Sequence, residues 1–372
     1  MDCFPINRIL DFDWESGRIR VEAGVTLGDL LEVIVPHGWF LPVTPGTKFV
    51  TIGGAIANDV HGKNHHRAGT FGCHVEQMMI YRSDAGGLVC SPSENEELYR
   101  ATIGGLGLTG VIAWADVRLK PIHGNTIHAG IVPFEGLDRF ETVTKASDDA
   151  FEYTVAWIDC LSGTRLRGIF FRGNHSDRSV EPRRRRYSIP FDFPKLALNR
   201  TSVSLFNRAY YRLHLKQAGS SHVHYDEFFY PLDSVLNWNR IYGKQGLVQY
   251  QCVVPYERAE VMMQMIEAIS RSGQGCFLAV LKAFGNVGSP GMLSFPRPGL
   301  TLTLDLPMRG TVTLNLFDRL DELVLSSGGA LYPAKDARMS SSMFRASFPN
   351  VEEFAPFIDP KLSSSFWRRV TN

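Results

Sequence analysis

Residues Arg18 to Ala23 alternate Ile19, Val21 and Ala23 with Arg18, Arg20 and Glu22, the period-two pattern of a strand with one buried face. The period then changes. Leu27, Leu30, Leu31 and Ile34 share one helical face, Thr26 and Asp29 have capping-box spacing, and Pro36-His37-Gly38 stops the helix. A strand and turn follow from Gln77 to Leu88. Ser93 and Glu96 predict the cap of a short helix through Leu98 and Tyr99, Val111 to Leu119 reads as a strand, and Pro121 closes this unit. Ile127 to Arg172 alternates strand and helix signals, and Phe151 to Asp159 puts Val155, Trp157 and Asp159 on one face.

Three later strands have informative faces. Leu247 to Val253 groups Gln249, Gln251 and Val253, and Phe277 to Phe284 groups Lys282 with Leu278, Val280 and Phe284. Leu300 to Leu306 groups Thr301, Thr303 and Asp305 against an all-leucine face. Such a polar sheet face is either washed by solvent or the floor of a polar pocket. Pro255 opens a helix with Val261, Met262, Met265, Ile266 and Ile269 as its core face, and Leu316 to Leu325 forms another that ends at Gly328-Gly329.

Composition narrows the classes. The 372 residues suit two domains, and 44% hydrophobic with 21% charged residues is ordinary for a globular chain. A net charge of +1 argues against nucleic acid as a partner. Six scattered cysteines show neither disulfide-framework nor zinc spacing. No apolar run approaches the ~18 residues of a membrane span, and Met1 to Asp13 lacks a signal-peptide pattern, so the expected location is the cytoplasm. Arg183 to Arg186, a basic run between prolines, reads as a solvated loop or as a contact for lipid phosphate at the inner membrane surface. Asn199 to Tyr211 mixes aromatic and basic residues, as a lid or an interfacial segment does.

Glycine, hydroxyl residues and histidine concentrate between Val43 and His66. Gly46 follows a proline in a turn, and the bare backbone at Gly53-Gly54 suits a nest of N–H groups for a diphosphate. His61, Lys63, Asn64, His65 and His66 are costly to bury, so they face solvent or a ligand. Apart from Asp59, no carboxylate sits at ligand spacing from these histidines, and a metal is not expected.

The run Thr44 to Gly72, with Thr102 to Ile112 later, resembles the flavin domain of vanillyl-alcohol-oxidase-type FAD oxidoreductases. The likeness returns at Tyr225–Pro255, Phe277–Gly285 and Gly328–Arg338, and is greatest to the branch that oxidises the 2'-hydroxyl of a polyprenyl-phosphate ribose for cell-envelope arabinose. It implies an α+β fold: an FAD-binding domain over 1–125, a substrate domain with a mainly antiparallel sheet over 126–329, and a segment 330–372 returning to the FAD domain. The relatives' Arg/Gly/Ser/Tyr-rich loop over the diphosphate is not found in this sequence, so the FAD domain is expected to be N-terminally incomplete, with a flavin-free remnant as the opposing reading.

By the same resemblance, non-covalent FAD is expected against Gly46, Thr51, Ile52, Gly53, Gly54, Asn58, His61, Gly62, Lys63, Asn64, Gly110, Ile112 and Tyr332. Trp157, Gln249, Gln251, Lys282, Thr303 and Lys335 would line the substrate pocket, and Thr303 stands where cysteine is known in the family, so thiol-directed chemistry is not expected. Lys335 is the expected base or alkoxide partner, with His61 second; His65 and His66 lie behind them or in solvent. Other FAD sugar or alditol oxidases share the pattern. A partner reductase would complete an epimerisation.

Overall fold

The computed structural model describes residues 5–181, 187–194, 197–336 and 338–371. The run Arg183 to Arg186 lies outside the described residues.

The first part of the chain holds β1 (Ile9–Asp13), β2 (Arg18–Glu22), α1 (Leu27–Ile34), β3 (Trp39–Phe40), α2 (Ile52–Ala57), α3 (His65–Ala68), β4 (Val75–Arg82), β5 (Gly86–Cys90), α4 (Glu96–Thr102), β6 (Val111–Arg118) and β7 (Lys120–Pro121). Its main sheet has the order β1-β2-β6-β4-β5, all antiparallel. The amphipathic pattern decides α1. Leu27, Leu30, Leu31 and Ile34 are all buried, while Thr26 accepts the Asp29 N–H and donates to its carboxylate. The expected cap at Ser93 is not used: Asn95, in the left-handed region, precedes α4, and Ser93 instead donates its N–H to Ser91 Oγ.

The second part holds β8 (Thr126–Glu135), α5 (Leu137–Asp148), β9 (Tyr153–Ile158), β10 (Arg167–Ser176), β11 (Tyr187–Ser188), α6 (Arg200–Lys216), β12 (Gly219–His224), α7 (Tyr225–Phe229), β13 (Val235–Leu236) and β14 (Leu247–Val254). It continues with α8 (Ala259–Ser272), β15 (Ala279–Phe284), β16 (Gly299–Pro307), α9 (Thr311–Ser326) and β17 (Ala330–Leu331). The large antiparallel sheet runs β12-β8-β10-β9-β15-β16-β14-β17. The apolar face of β16, Leu300, Leu302, Leu304 and Leu306, meets the core faces of α8 and α9. This confirms the α+β reading, with α8 and α9 on one face of the sheet and α6 against β8 and β10 on the other.

The helices α10 (Ser341–Ser347), α11 (Val351–Phe354) and α12 (Ser365–Thr371) close the chain. They pack into the large core through Met343, Phe344, Phe354 and Val370. Asp359 then reaches the β4–β5 turn, accepting from the Ser83 N–H at 2.6 Å and its hydroxyl at 2.7 Å. A second link joins the sheets near the middle of the chain: the Thr44 and Tyr230 hydroxyls are 2.6 Å apart, and Lys48 pairs with Asp226 at 2.7 Å. Among the described residues no helix is long and apolar enough to cross a membrane.

Candidate active site

Strand pairing builds a polar floor from residues distant in sequence. Trp157, Val280, Thr303 and Gln251 form one row across β9, β15, β16 and β14; Lys282, Thr301 and Val253 form the next; Asp305 faces Gln249. The face is not solvent-washed, because Gln251, Thr301 and Asp305 are buried and Thr303 is only partly exposed.

The loop after α2 covers this floor. Gly285 permits its approach, since a Cβ there would lie 2.5 Å from His66 Cα. Asp59 fixes the loop from below. Its carboxylate accepts the Gly72 N–H at 2.9 Å and the Ser289 and Ser294 hydroxyls at 2.5 Å each, so residues between β15 and β16 are latched to the loop. His61 is thereby held 3.0 Å, Nε2 to Nε2, from Gln251, whose amide nitrogen also lies 3.2 Å from Thr301 Oγ1. His61 Nδ1 and both ring nitrogens of His65 are buried without partners among the described residues.

Lys335 does not join the surface ion pairs that the run Lys335-Asp336-x-Arg338 suggests. Asp336 pairs with Arg369, and Arg338 with Asp318 and Asp321. Lys335 turns inward and donates to Gln249 Oε1 at 3.1 Å. Tyr332, one turn before it, donates to the Asn58 carbonyl at 3.0 Å and stacks on Phe295 at 4.7 Å. His61 lies against Tyr332, Phe284 and Phe295.

The electrostatics are one-sided. Burial and then repulsion from Lys335 push Lys282 down to about 7. Burial and then repulsion from Lys282 do the same to Lys63, whose ammonium donates to the carbonyls of Phe228 and Phe229 at 2.6 and 3.1 Å. Burial lowers Lys335, although Asp305 partly restores its proton affinity. Burial, then Lys282, keeps His61 well below 6.5 and takes His65 to about 4. Lys63, Lys282 and Lys335 thus form a chain of like charges, with Asp305, itself raised by burial, acting on Lys335 at one end. Such a site favours an anionic ligand.

Two expectations need correction. The N–H groups at the start of α2 form no free nest: Ile52 donates to Val25 O at 2.9 Å, Gly53 to Ala23 O at 2.8 Å and Gly54 to the Thr51 hydroxyl at 3.1 Å. Gly53 is there for packing, since its Cβ would sit 3.0 Å from Ala23 Cβ. Trp157 offers no open aromatic plane, being 5% exposed, covered by Tyr210 and bonded through its indole N–H to Phe277 O at 2.9 Å. Gly110 and Ile112 lie at the β4–β6 pairing of the first sheet, beside Ile80 and Tyr81. The sequence reading placed Asp305 and Thr301 on the right face but assigned them nothing; a carboxylate inside an otherwise leucine-lined strand was the available signal.

The residues present fit a flavin. An unpartnered buried imidazole nitrogen at His61, the aromatic ring of Tyr332, and the lysines Lys63 and Lys282, without an ion-pair partner among the described residues, match a planar, hydrogen-bonding and anionic cofactor. At Gly46 a Cβ would meet nothing within 4 Å, leaving space above the turn.

Comparison with known proteins agrees. Residues 2–91 match the FAD binding domain family model. Fold, site and match together define an FAD-linked oxidoreductase. The decaprenylphosphoryl-beta-D-ribose oxidase of Mycolicibacterium smegmatis is 35% identical over 95% of this chain and 80% of its own length. The chain belongs to the decaprenylphosphoryl-β-D-ribose oxidase family. An uncharacterized protein in the mprA 5' region of Streptomyces coelicolor is 31% identical over 93% of this chain and all of its own length. The D-lactate dehydrogenase of Anaerostipes hadrus is 30% identical, but over only 36% of this chain and 29% of its own.

Proposed function

We propose that this chain oxidises the 2'-hydroxyl of a polyprenylphosphoryl-β-D-ribose, with the FAD side built from residues 1–125 and the substrate side from 126–329. The convergence of Lys335, Gln249, Gln251 and His61 on one buried floor carries the reading. FAD, when bound, supplies the acceptor for the hydride. Gly46, Asn58, His61, Gly62, Lys63, Asn64 and Tyr332 are the residues proposed to hold it, with Thr51, Ile52, Gly53 and Gly54 shaping the wall beneath.

Lys335 Nζ is the group that takes or holds the hydroxyl proton, because burial makes its proton easier to lose than that of a solvated lysine. Lys282 supplies a second positive charge to steady the developing alkoxide. Gln251 and Thr303 offer hydrogen bonds to the remaining sugar hydroxyls. The product would be a ketone, so a partner reductase is required to complete an epimerisation.

The helix α6 suits an anionic membrane surface on which a polyprenyl lipid would be presented. Leu205, Phe206 and Leu213 are exposed beside Arg208 and Arg212, and its 17 residues include no aspartate or glutamate.

The test is FAD reconstitution of the full chain followed by anaerobic mixing with polyprenylphosphoryl-β-D-ribose. Bleaching of the flavin absorbance is expected. Bleaching by free alditols or aldonolactones alone would transfer the chain to a different sugar oxidase class, and failure to take up FAD would overturn the reading.

A further inference from the structure

We propose that Asp305 is a positioning residue for Lys335, acting through the side-chain amide of Gln249. Only the kinetic arm of its test rests on the sugar-oxidation reading. Lys335 Nζ donates to Gln249 Oε1 at 3.1 Å, and Gln249 Nε2 donates to Asp305 Oδ1 at 3.0 Å. An ammonium has donors and no acceptor, and an ionised carboxylate has acceptors and no donor. The amide between them therefore has one favourable orientation. Flipping it would set donor against donor at Lys335 and acceptor against acceptor at Asp305.

Asp305 is built to hold that orientation. It faces Gln249 in the β14–β16 register and is 2% exposed. Its N–H lies 3.3 Å from both the Leu278 carbonyl and Cys276 Sγ, and its carbonyl accepts the Tyr242 hydroxyl at 3.3 Å. The second carboxylate oxygen, Oδ2, is buried with no partner among the described residues, an expense that packing alone does not explain.

The charges around Lys335 make Asp305 its balancing anion. Lys282 from β15 repels it, and His61 approaches from the loop after α2 as a neutral ring. Asp336 and Arg338, its own neighbours, are engaged by Arg369 and by Asp318 and Asp321. Asp305 thus sets both the direction of the lysine and its hold on a proton.

The test is a pH titration of the full chain after reductive ¹³C-methylation of its lysines, with the Lys335 signal identified by its loss in Lys335→Arg. Asp305→Asn should move the Lys335 midpoint down by about one pH unit, since a nearby opposite charge is lost. Gln249→Leu keeps the carboxylate but cuts the line. In the FAD-loaded enzyme it should lower kcat about tenfold while KM stays within about threefold, the pattern of lost orientation. The two variants change different residues, so a collapsed Asp305→Asn leaves Gln249→Leu to decide. An unmoved midpoint in Asp305→Asn, or kcat within about twofold of wild type in both variants, overturns the proposal. A wild-type enzyme inert to the ribose lipid would defeat the sugar reading alone, and the titration would still decide the role of Asp305.

Discussion

Two buried aspartates on the two sheets stand in contrasting company. Asp116, on β6, is fully buried and receives Arg20 at 2.6 and 2.9 Å, Arg18 at 2.7 Å and Gln77 at 2.6 Å. Burial alone would raise its pKa, but bonds from Arg20, Gln77 and Arg18 outweigh burial and hold it low. Asp305, on β16, has one amide on one oxygen and, among the described residues, nothing on the other, and burial wins. A saturated carboxylate fastens strands together. An under-coordinated one keeps its neighbours reactive, and the same split separates the ion-paired arginines of the first sheet from the floor lysines, which make no direct ion pair among the described residues.

Removing a lysine from the reactive side should have the largest effect. Lys335→Ala is expected to slow flavin reduction by substrate by about 10²–10⁴-fold while leaving bound flavin unchanged, read by anaerobic stopped flow. Normal reduction would return Lys335 to a structural role. On the saturated side, Asp116→Leu should cost about 2–3 kcal/mol in urea denaturation, moderated because its arginines are partly exposed. The folded pKa of Asp116 is depressed, so its contribution is complete above about pH 4 and is lost as pH falls through the folded value. The gap between wild type and variant should therefore close in acid.

Lys282→Met should do the opposite and stabilise the cofactor-free chain, by about 2 kcal/mol at pH 6. Lys282 titrates near 7 when folded and near 10.4 when unfolded, so its penalty is full below pH 7 and is relieved as pH rises between those values. A gain that persists undiminished at pH 10 would show that charge burial is not the cause. The smallest effect is expected from Gly53→Ala. Crowding against Ala23 should cost about 1 kcal/mol in thermal unfolding with FAD affinity unchanged, whereas a phosphate nest would lose affinity.

Local rules were readable in the chain. The α1 face and its Thr26 cap, the buried methionines of α8 and the alternation in β16 follow from short-range periodicity. The polar floor was legible as faces but not as a surface, because nothing local specifies that β9 pairs with β15 or that Gln251 lies opposite Thr303. The Gly53-Gly54 nest failed for the same reason. The N–H groups of Ile52 and Gly53 are claimed by the carbonyls of Val25 and Ala23, residues of a strand–turn nearly thirty positions earlier, and that of Gly54 by the Thr51 hydroxyl. Trp157 was correctly placed on its face, yet only α6 packing through Tyr210 determines that its ring is covered.

The Asp59 latch has a consequence for synthesis. The first sheet is complete once residue 118 has emerged, but Ser289 and Ser294 lie 230 and 235 positions downstream of the Asp59 carboxylate. At ordinary elongation rates of about 5–20 residues per second, the nascent first sheet waits roughly 9–35 s for these hydroxyls. Throughout that interval Asp59 has to remain hydrated or protonated, so the loop carrying His61 and Lys63 is finished late, after the ribosome has made most of the chain.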